Sequence, residues 1–358
     1  MKTSTSFAPV SALALVLATS AAVSLAATTA RGQCPADLDA SGVVNGADLA
    51  GVLAAWGPCA QCSEDLDGDG VVTGSDLGQV LVAWGECPVT VPSWATLVEA
   101  QPDPAVVTDP ALRAAIAATG LAWRVRDTAT QVEMLLVPPG TFQMGCIMGS
   151  DLYGCVSWLE QPVHQVTLTN AFYLGRFELT QSQWVATMGS NPSYFQGQPD
   201  SASRPVEQVS WNTIQGYLSA TGFRLPTEAE WEYACRAGTQ TPFYNGSTDD
   251  TTLGTLAWYG ACCGGNSGEQ SHAVGGKLAN AFGFHDMLGN VREWVNDRYG
   301  VYTAVAQTNP TGPASSTTRV VRGGDWWGIS WSLRSSIRAS SEPHDAFYLI
   351  GFRVARTP

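Results

Sequence analysis

Two stretches of this chain set hard oxygen ligands at regular spacing. Residues 37–57 read DLDASGVVNGADLAGVLAAWG and residues 65–85 read DLDGDGVVTGSDLGQVLVAWG, a repeat with a period of 28 residues. Oxygen-bearing side chains stand at positions 1, 3, 5, 9 and 12. In the first copy these are Asp37, Asp39, Ser41, Asn45 and Asp48; in the second they are Asp65, Asp67, Asp69, Thr73 and Asp76. Gly42 or Gly70 takes the sixth position, where the loop must turn sharply. The seventh residue, Val43 or Val71, offers its backbone carbonyl. Ca²⁺ takes six to eight oxygens, and this spacing wraps them around one point. The expected cofactor is therefore Ca²⁺ in both loops. The second is the stronger candidate, because Ser41 replaces an acid in the first.

Sulfur is the other chemistry in reach. Nine cysteines in an exported chain predict disulfides with one thiol left over. Cys34, Cys59, Cys62 and Cys87 bracket the two repeats, and Cys146 and Cys155 stand close enough to clip one loop. Cys235, Cys262 and Cys263 have no assigned partners; a structural disulfide from the vicinal pair to Cys235 is favoured over a redox role. No cysteine follows Cys263. The four histidines, His164, His272, His285 and His344, form no metal-binding pair at helical spacing. Nucleophile elbows and phosphate loops are also missing from the sequence.

Each loop must be held by an element, and the pattern supplies one. An apolar helix follows each, expected over 49–56 and 77–84. The loops end in Asp where an EF-hand has a bidentate Glu, and such paired loop–helix units resemble the dockerin module. That resemblance implies a small all-α unit over residues 34–87 and a cohesin-like protein as partner. Residues 88–130, rich in Pro, read as a linker with one helix from Pro110 to Ala118, capped by Asp109.

The whole chain has 358 residues and a formal net charge of −13. Residues 34–87 hold nine acidic side chains and no Lys or Arg. A nucleic-acid partner would need a cationic face, so the charge argues against one. Charged residues make up 14% of the chain, below the usual level of about 25%. With 37 Gly, 20 Pro and 13 Trp, the core is expected to pack through aromatics and turns. The N-terminus reads as a signal peptide over residues 1–30. Lys2 precedes an apolar stretch from Ala12 to Ala27, and Ser24 to Ala26 offers small residues for cleavage. The expected location is secreted or periplasmic, and no later segment is suited to span a bilayer.

In the large domain, expected over residues 131–358, Met134–Gly140 and Phe142–Gly145 read as two strands joined by a turn. Ser210 can cap a helix over 211–220. Thr227 and Glu230 form a capping box for another, reaching about Ala237. Four phrases then recur in a fixed order: Arg-Leu-Pro-Thr-Glu-Ala-Glu-Trp-Glu at 224–232, Gly-Asn-Val-Arg-Glu-Trp at 289–294, Arg-Gly-Gly-Asp-Trp-Trp at 322–327 and Gly-Phe-Arg at 351–353. Together they closely resemble the formylglycine-generating enzyme family, also called the sulfatase-modifying factor family.

The resemblance implies an α+β, C-type-lectin-like fold with much irregular structure. It also implies a further calcium site, with side-chain oxygens from Asp286 and Glu293 and carbonyls from Gly289 and Val291. The family's oxidase holds Cu(I) between two thiolates beyond the Arg-Gly-Gly phrase. By count from Gly324, Gly328 and Leu333 stand at those places. Leu218 and Val354 stand where some members have a structural disulfide, and Cys235 matches a cysteine whose usual partner is absent. Copper is therefore not expected.

The segment that keeps its recognition chemistry is Asp325, Trp326, Trp327, Trp331, Arg334, Arg338, His344 and Tyr348. These residues are expected to face an unidentified protein or glycan ligand. The expected function is an exported, calcium-stabilised binding protein. The alternatives are an oxidase of this family with a non-standard site, and a polysaccharide-associated accessory protein.

Overall fold

The computed structural model describes residues 34–39, 41–147, 154–155 and 157–358. The expected signal peptide, residues 1–30, lies outside the described residues. The first repeat forms β1 (Val43–Val44) and α1 (Gly46–Ala54), followed by β2 (Gly57–Pro58). The second forms β3 (Val71–Val72), α2 (Gly74–Val82) and β4 (Gly85–Glu86). Both helices begin three residues before their expected starts. Asn45 and Thr73 are the N-caps, and Asp48 and Asp76 close capping boxes from inside the first turn. Loop positions 9 and 12 thus serve the helix as well as the loop.

This unit is not wholly helical, which corrects the expectation from its sequence. β1 pairs antiparallel with β4, and β2 with β3. The residues after each loop's turn are extended, which lets Val44 and Val72 enter a small core with Ala36, Val52, Val80 and Cys87. Disulfides join Cys34 to Cys87 and Cys59 to Cys62.

The remaining chain runs β5 (Ala95–Glu99), α3 (Pro110–Ala117), β6 (Arg124–Asp127), β7 (Glu133–Val137), β8 (Gly140–Met144), α4 (Ser157–Glu160), β9 (His164–Leu168), β10 (Phe172–Gly175) and α5 (Gln181–Met188). It continues with α6 (Trp211–Thr221), α7 (Glu228–Arg236), β11 (Arg292–Arg298), β12 (Gln307–Thr308), β13 (Arg319–Arg322), β14 (Arg338–Ser341), β15 (Ile350–Gly351) and β16 (Ala355–Arg356). Among the described residues these strands form three sheets, with orders β16-β10-β7-β6-β5, β14-β13-β11-β15 and β12-β9-β8. The class is mixed α and β. Ser210 and Thr227 cap α6 and α7 as their sequence predicts, and Asp109 caps α3.

Residues 88–130 do not form a bare spacer. β5 and β6 lie at one edge of the five-stranded sheet, with β6 paired to β7. Val107, Ile116, Trp123 and Val125 are buried in the main core. These apolar side chains gain more from burial than a solvated linker could offer them.

Trp231, Trp294, Tyr217 and Phe352 fill the centre of that core. Among them lie buried ion pairs: Arg322 with Glu232, Arg353 with Glu293, Arg334 with Glu160 and Arg338 with Glu228. Removing one member of such a pair would leave an uncompensated charge in the interior.

Candidate functional site

The segment from Asp325 to Tyr348 runs from the end of β13 through β14 to β15. Asp325 is buried; its Oδ1 accepts from the backbone N–H groups of Trp327 (3.0 Å) and Gly328 (2.8 Å). Its Oδ2 lies 2.6 Å from Arg292 Nε. Asp325 therefore shapes the turn that follows it. Trp326 is buried beneath a group of rings. Phe195 meets it edge-on at 5.4 Å, Trp327 edge-on at 5.8 Å, and Tyr348 lies tilted at 5.8 Å. Trp327 is 46% exposed, Tyr348 42% and Tyr194 64%. Tyr194 lies 5.3 Å from Tyr348, so the three outer rings form one aromatic surface over Trp326 and Phe195. Ile329 and Phe347 are also exposed.

The two arginines expected to face a ligand point inward. Arg334 is fully buried against Glu160, with its Nε donating to the Trp331 carbonyl. Arg338 is buried between Tyr299 and Tyr302 and holds Glu228 through both Nε (2.7 Å) and a terminal nitrogen (2.6 Å). Their guanidinium groups neutralise carboxylates that would otherwise be stranded in the core. Trp331 is half-buried and lines a separate cavity of about 230 Å³ with Arg292, Arg322, Ile337 and Arg338. His344 is exposed. Of the eight residues, Trp327, Tyr348 and His344 are open to solvent; Asp325, Trp326, Arg334 and Arg338 are withdrawn.

Tyr194 and Phe195 complete the surface from a distant phrase. Glu207 positions them, accepting from the N–H groups of Tyr194 (3.0 Å) and Phe195 (2.9 Å). Burial pushes the Glu207 carboxyl up to about 7. No local sequence pattern links residue 194 to residue 348.

In the paired-loop unit the acids converge. One carboxylate oxygen each from Asp37, Asp39 and Asp48 lies within 4.8 Å of the others, and the same holds for Asp65, Asp67 and Asp76. Burial pushes the Asp37 carboxyl up, and the neighbouring Asp39 and Asp48 add to this against the N–H groups of Gly42 and Ser41. The other loop positions are engaged locally. Ser41 Oγ and Asn45 Nδ2 each donate to the Val43 carbonyl at 3.1 Å, Thr73 Oγ1 accepts from Ser75, and Asp69 accepts from Val71. Three convergent carboxylates without a cationic side chain suit a hard divalent cation.

The set Asp286, Gly289, Val291 and Glu293 fits less well. Both Glu293 oxygens are held by Arg353, at 2.6 and 2.7 Å, and Trp231 Nε1 also donates to it. Its carboxylate is closed to a metal ion in this arrangement. Asp286 is different: its Oδ2 accepts from Gly275, while its buried Oδ1 has no hydrogen-bond partner. Burial pushes this carboxyl up to about 6. Glu178 lies beside them and accepts from Asn290 and from the Val291 N–H; burial and then the charges of Asp286 and Glu293 push it up. Gly289 is required by its setting, since at its φ of +79° a Cβ would lie 2.4 Å from the Trp258 carbonyl oxygen.

Cys146 and Cys155 form the expected disulfide. Cys235 is not joined to the vicinal pair. It is buried and free, its thiol pushed up to about 12 by burial, while Cys262 and Cys263 are exposed.

Residues 121–358 match the family described as the sulfatase-modifying factor enzyme 1-like domain. Over 188 residues the chain is 34% identical to the formylglycine-generating enzyme of Mus musculus, a match covering 48% of this chain and 50% of that one. The chain thus spans about half the length of that curated relative. It is 32% identical over 161 residues to the inactive C-alpha-formylglycine-generating enzyme 2 of Bos taurus, covering 42% of this chain and 50% of that one. Among solved structures, Treponema denticola variable protein 1 superposes with a TM-score of 0.56 at 29% identity, covering 63% of this chain and 95% of that one. Among the described residues, no helix is long and apolar enough to cross a membrane.

Proposed function

The chain belongs to the sulfatase-modifying factor family through residues 121–358, and from that membership we propose that its large domain is a binding member without the oxidase site. The fold is taken as C-type-lectin-like on the same ground. One observation carries the proposal: where the resemblance calls for two thiols, the chain has Gly328 and Leu333, and no cysteine follows Cys263. Leu333 is buried in the core. A Cβ on Gly328 would lie 2.4 Å from Ser332 Oγ, so the serine side chain would have to turn away to admit one, while the nearest backbone atom is 3.5 Å off. Soft-metal chemistry between two thiolates needs sulfur, which neither residue provides. In its place stands the aromatic surface of Tyr194, Trp327 and Tyr348, able to bury ring area against a protein or a glycan.

Copper titration against a chromophoric Cu(I) chelator tests this, run beside oxygen-dependent turnover of a sulfatase-type cysteine peptide. Neither tight stoichiometric copper nor turnover is expected; both together would overturn the proposal. Retention on insoluble glycans and on a peptide array, native chain against Trp327→Ala, then separates glycan from protein as the ligand class.

The paired loops support a second role. In our reading they bind Ca²⁺ and present a docking face in the manner of a dockerin, with a cohesin-like protein as partner. Leu53 and Trp56 of the first repeat are exposed, and so are their counterparts Leu81 and Trp84 in the second. Apolar side chains left open at equivalent positions of both copies suit a protein interface. Three disulfides fit an exported chain, secreted or periplasmic. Calorimetric titration with Ca²⁺ should report two sites; no heat above that of a Mg²⁺ control would remove the calcium reading.

A further inference from the structure

Six cysteines of this chain are joined in disulfides, the mark of an oxidising compartment, yet Cys262 and Cys263 are both exposed and unpaired. Their turn is tied to the aromatic surface. Gly260 N–H donates to the Gly328 carbonyl (2.7 Å) and Ala261 N–H to the Trp326 carbonyl (3.1 Å), so the two bonds bracket Trp327. Ser267 Oγ donates to the same Trp326 oxygen at 2.8 Å, and Cys263 N–H closes the turn onto the Gly260 carbonyl. The neighbouring Cys263 thiol pushes the Cys262 thiol up. Buried Cys235 is no competitor for either.

We propose that Cys262 and Cys263 form a two-electron thiol–disulfide exchange site whose co-reactant is a disulfide on a protein or peptide partner that seats an aromatic side chain against Trp327. The proposal rests on the aromatic surface being a binding surface. Either thiol of the pair, its proton lost to solvent, attacks one sulfur of the partner's disulfide. That S–S bond breaks and the other partner sulfur leaves with the electron pair as a thiolate. The other thiol of the pair then gives its proton to the solvent and attacks its neighbour's sulfur in the mixed disulfide. A Cys262–Cys263 bond forms and the second partner thiolate departs. The partner disulfide gains two electrons and the pair loses two, with both protons ending on the partner's thiols.

The probe is the aromatic disulfide 5,5′-dithiobis(2-nitrobenzoate), added to the folded full chain after mild reduction that leaves the three other disulfides intact by mass. The native chain is expected to release two equivalents of thionitrobenzoate and to end with no adduct and a Cys262–Cys263 bond by peptide mapping. Cys262→Ser or Cys263→Ser should release one equivalent and keep the adduct; the double variant should release none. Trp327→Ala should slow the first release about tenfold, in line with the loss of one aromatic contact, and leave the rate with oxidised glutathione unchanged. Two retained adducts on the native chain, or no release at all, would overturn the exchange site. An unchanged Trp327→Ala rate with the aromatic probe would overturn its link to the surface. Retention on glycans or peptides should survive in the double serine variant. Failure of the thiols is thereby distinguished from failure of the surface.

Discussion

Between residues 34 and 87 the acids Asp37, Asp39, Asp48, Asp65, Asp67 and Asp76 gather in two clusters, and the stretch holds no Lys or Arg. In the large domain Glu160, Glu228, Glu232 and Glu293 are buried, yet each lies against an arginine from a distant part of the chain. The hydrophobic content differs in the same direction. Among the described residues six buried side chains form the core of the first region, whereas the second packs around several large aromatic rings. One region leaves its charge to be balanced from solution, and the other balances it internally. The first should therefore respond to ions and the second to mutation.

The largest effect is expected at Arg353. Arg353→Met would leave Glu293 unpaired beside Glu178 and Asp286, at a cost of about 3–5 kcal/mol. Urea unfolding of the full chain checks this; a loss below about 1 kcal/mol would break the contrast between the two regions. Chelation comes next. Removing Ca²⁺ present at about 10 times its Kd should withdraw about 1.4 kcal/mol for each of the two loops, about 2.8 kcal/mol in all, from the paired-loop unit alone. Hydrogen exchange should then speed up in α1 and α2 and stay unchanged in β11 and β13. Asp65→Ala should weaken calcium binding more than Ser41→Ala, since it removes a charged ligand.

A pH effect of smaller size sharpens the account of the large domain. Burial, and then the charge of Glu228, pushes the Asp297 carboxyl up to about 8. The folded chain keeps this proton while the unfolded chain has lost it above an ordinary carboxyl pKa of about 4. Between those values the unfolded state binds fewer protons, so this group's contribution to stability falls as pH rises. Asp297→Asn should abolish that trend, an effect of about 2 kcal/mol between pH 6 and pH 7.5 in denaturant midpoints. The smallest effect belongs to the exposed rings. Trp327→Ala should change stability by no more than about 0.5 kcal/mol while impairing ligand capture. A large drop in Tm would make that ring structural.

What could be read from the sequence was local. Thr227 with Glu230, Ser210 with its following helix and the repeated Asp spacing each lie within a dozen residues, and each corresponds to a structural element found there. What could not be read depends on contacts across the chain. An arginine in a tryptophan-rich segment looks ready for a ligand, but Arg334 meets a carboxylate 174 residues away and Arg338 one 110 residues away. The aromatic surface likewise needs Tyr194 beside Tyr348, a pairing set by tertiary packing alone. Residues 88–130 misled for a related reason: prolines suggested a spacer, while the alternation in β6 and the buried Trp123 mattered more. Even the vicinal cysteines, plain in the sequence, gave no hint that their turn is bonded to the backbone on both sides of Trp327.

The bond between Cys34 and Cys87 also has a mechanical meaning. Its two Cα atoms lie 5.6 Å apart although 53 positions separate them along the chain. A tether pulling on residues before Cys34, against an anchor on the large domain, would load this covalent link and bypass both loops. Tension along the main chain would not unravel α1 and α2. A partner gripping the exposed Leu53, Trp56, Leu81 and Trp84 would apply its force from the side, through the fold itself. The unit is thus shielded from force along the chain and left open to force from whatever docks on it.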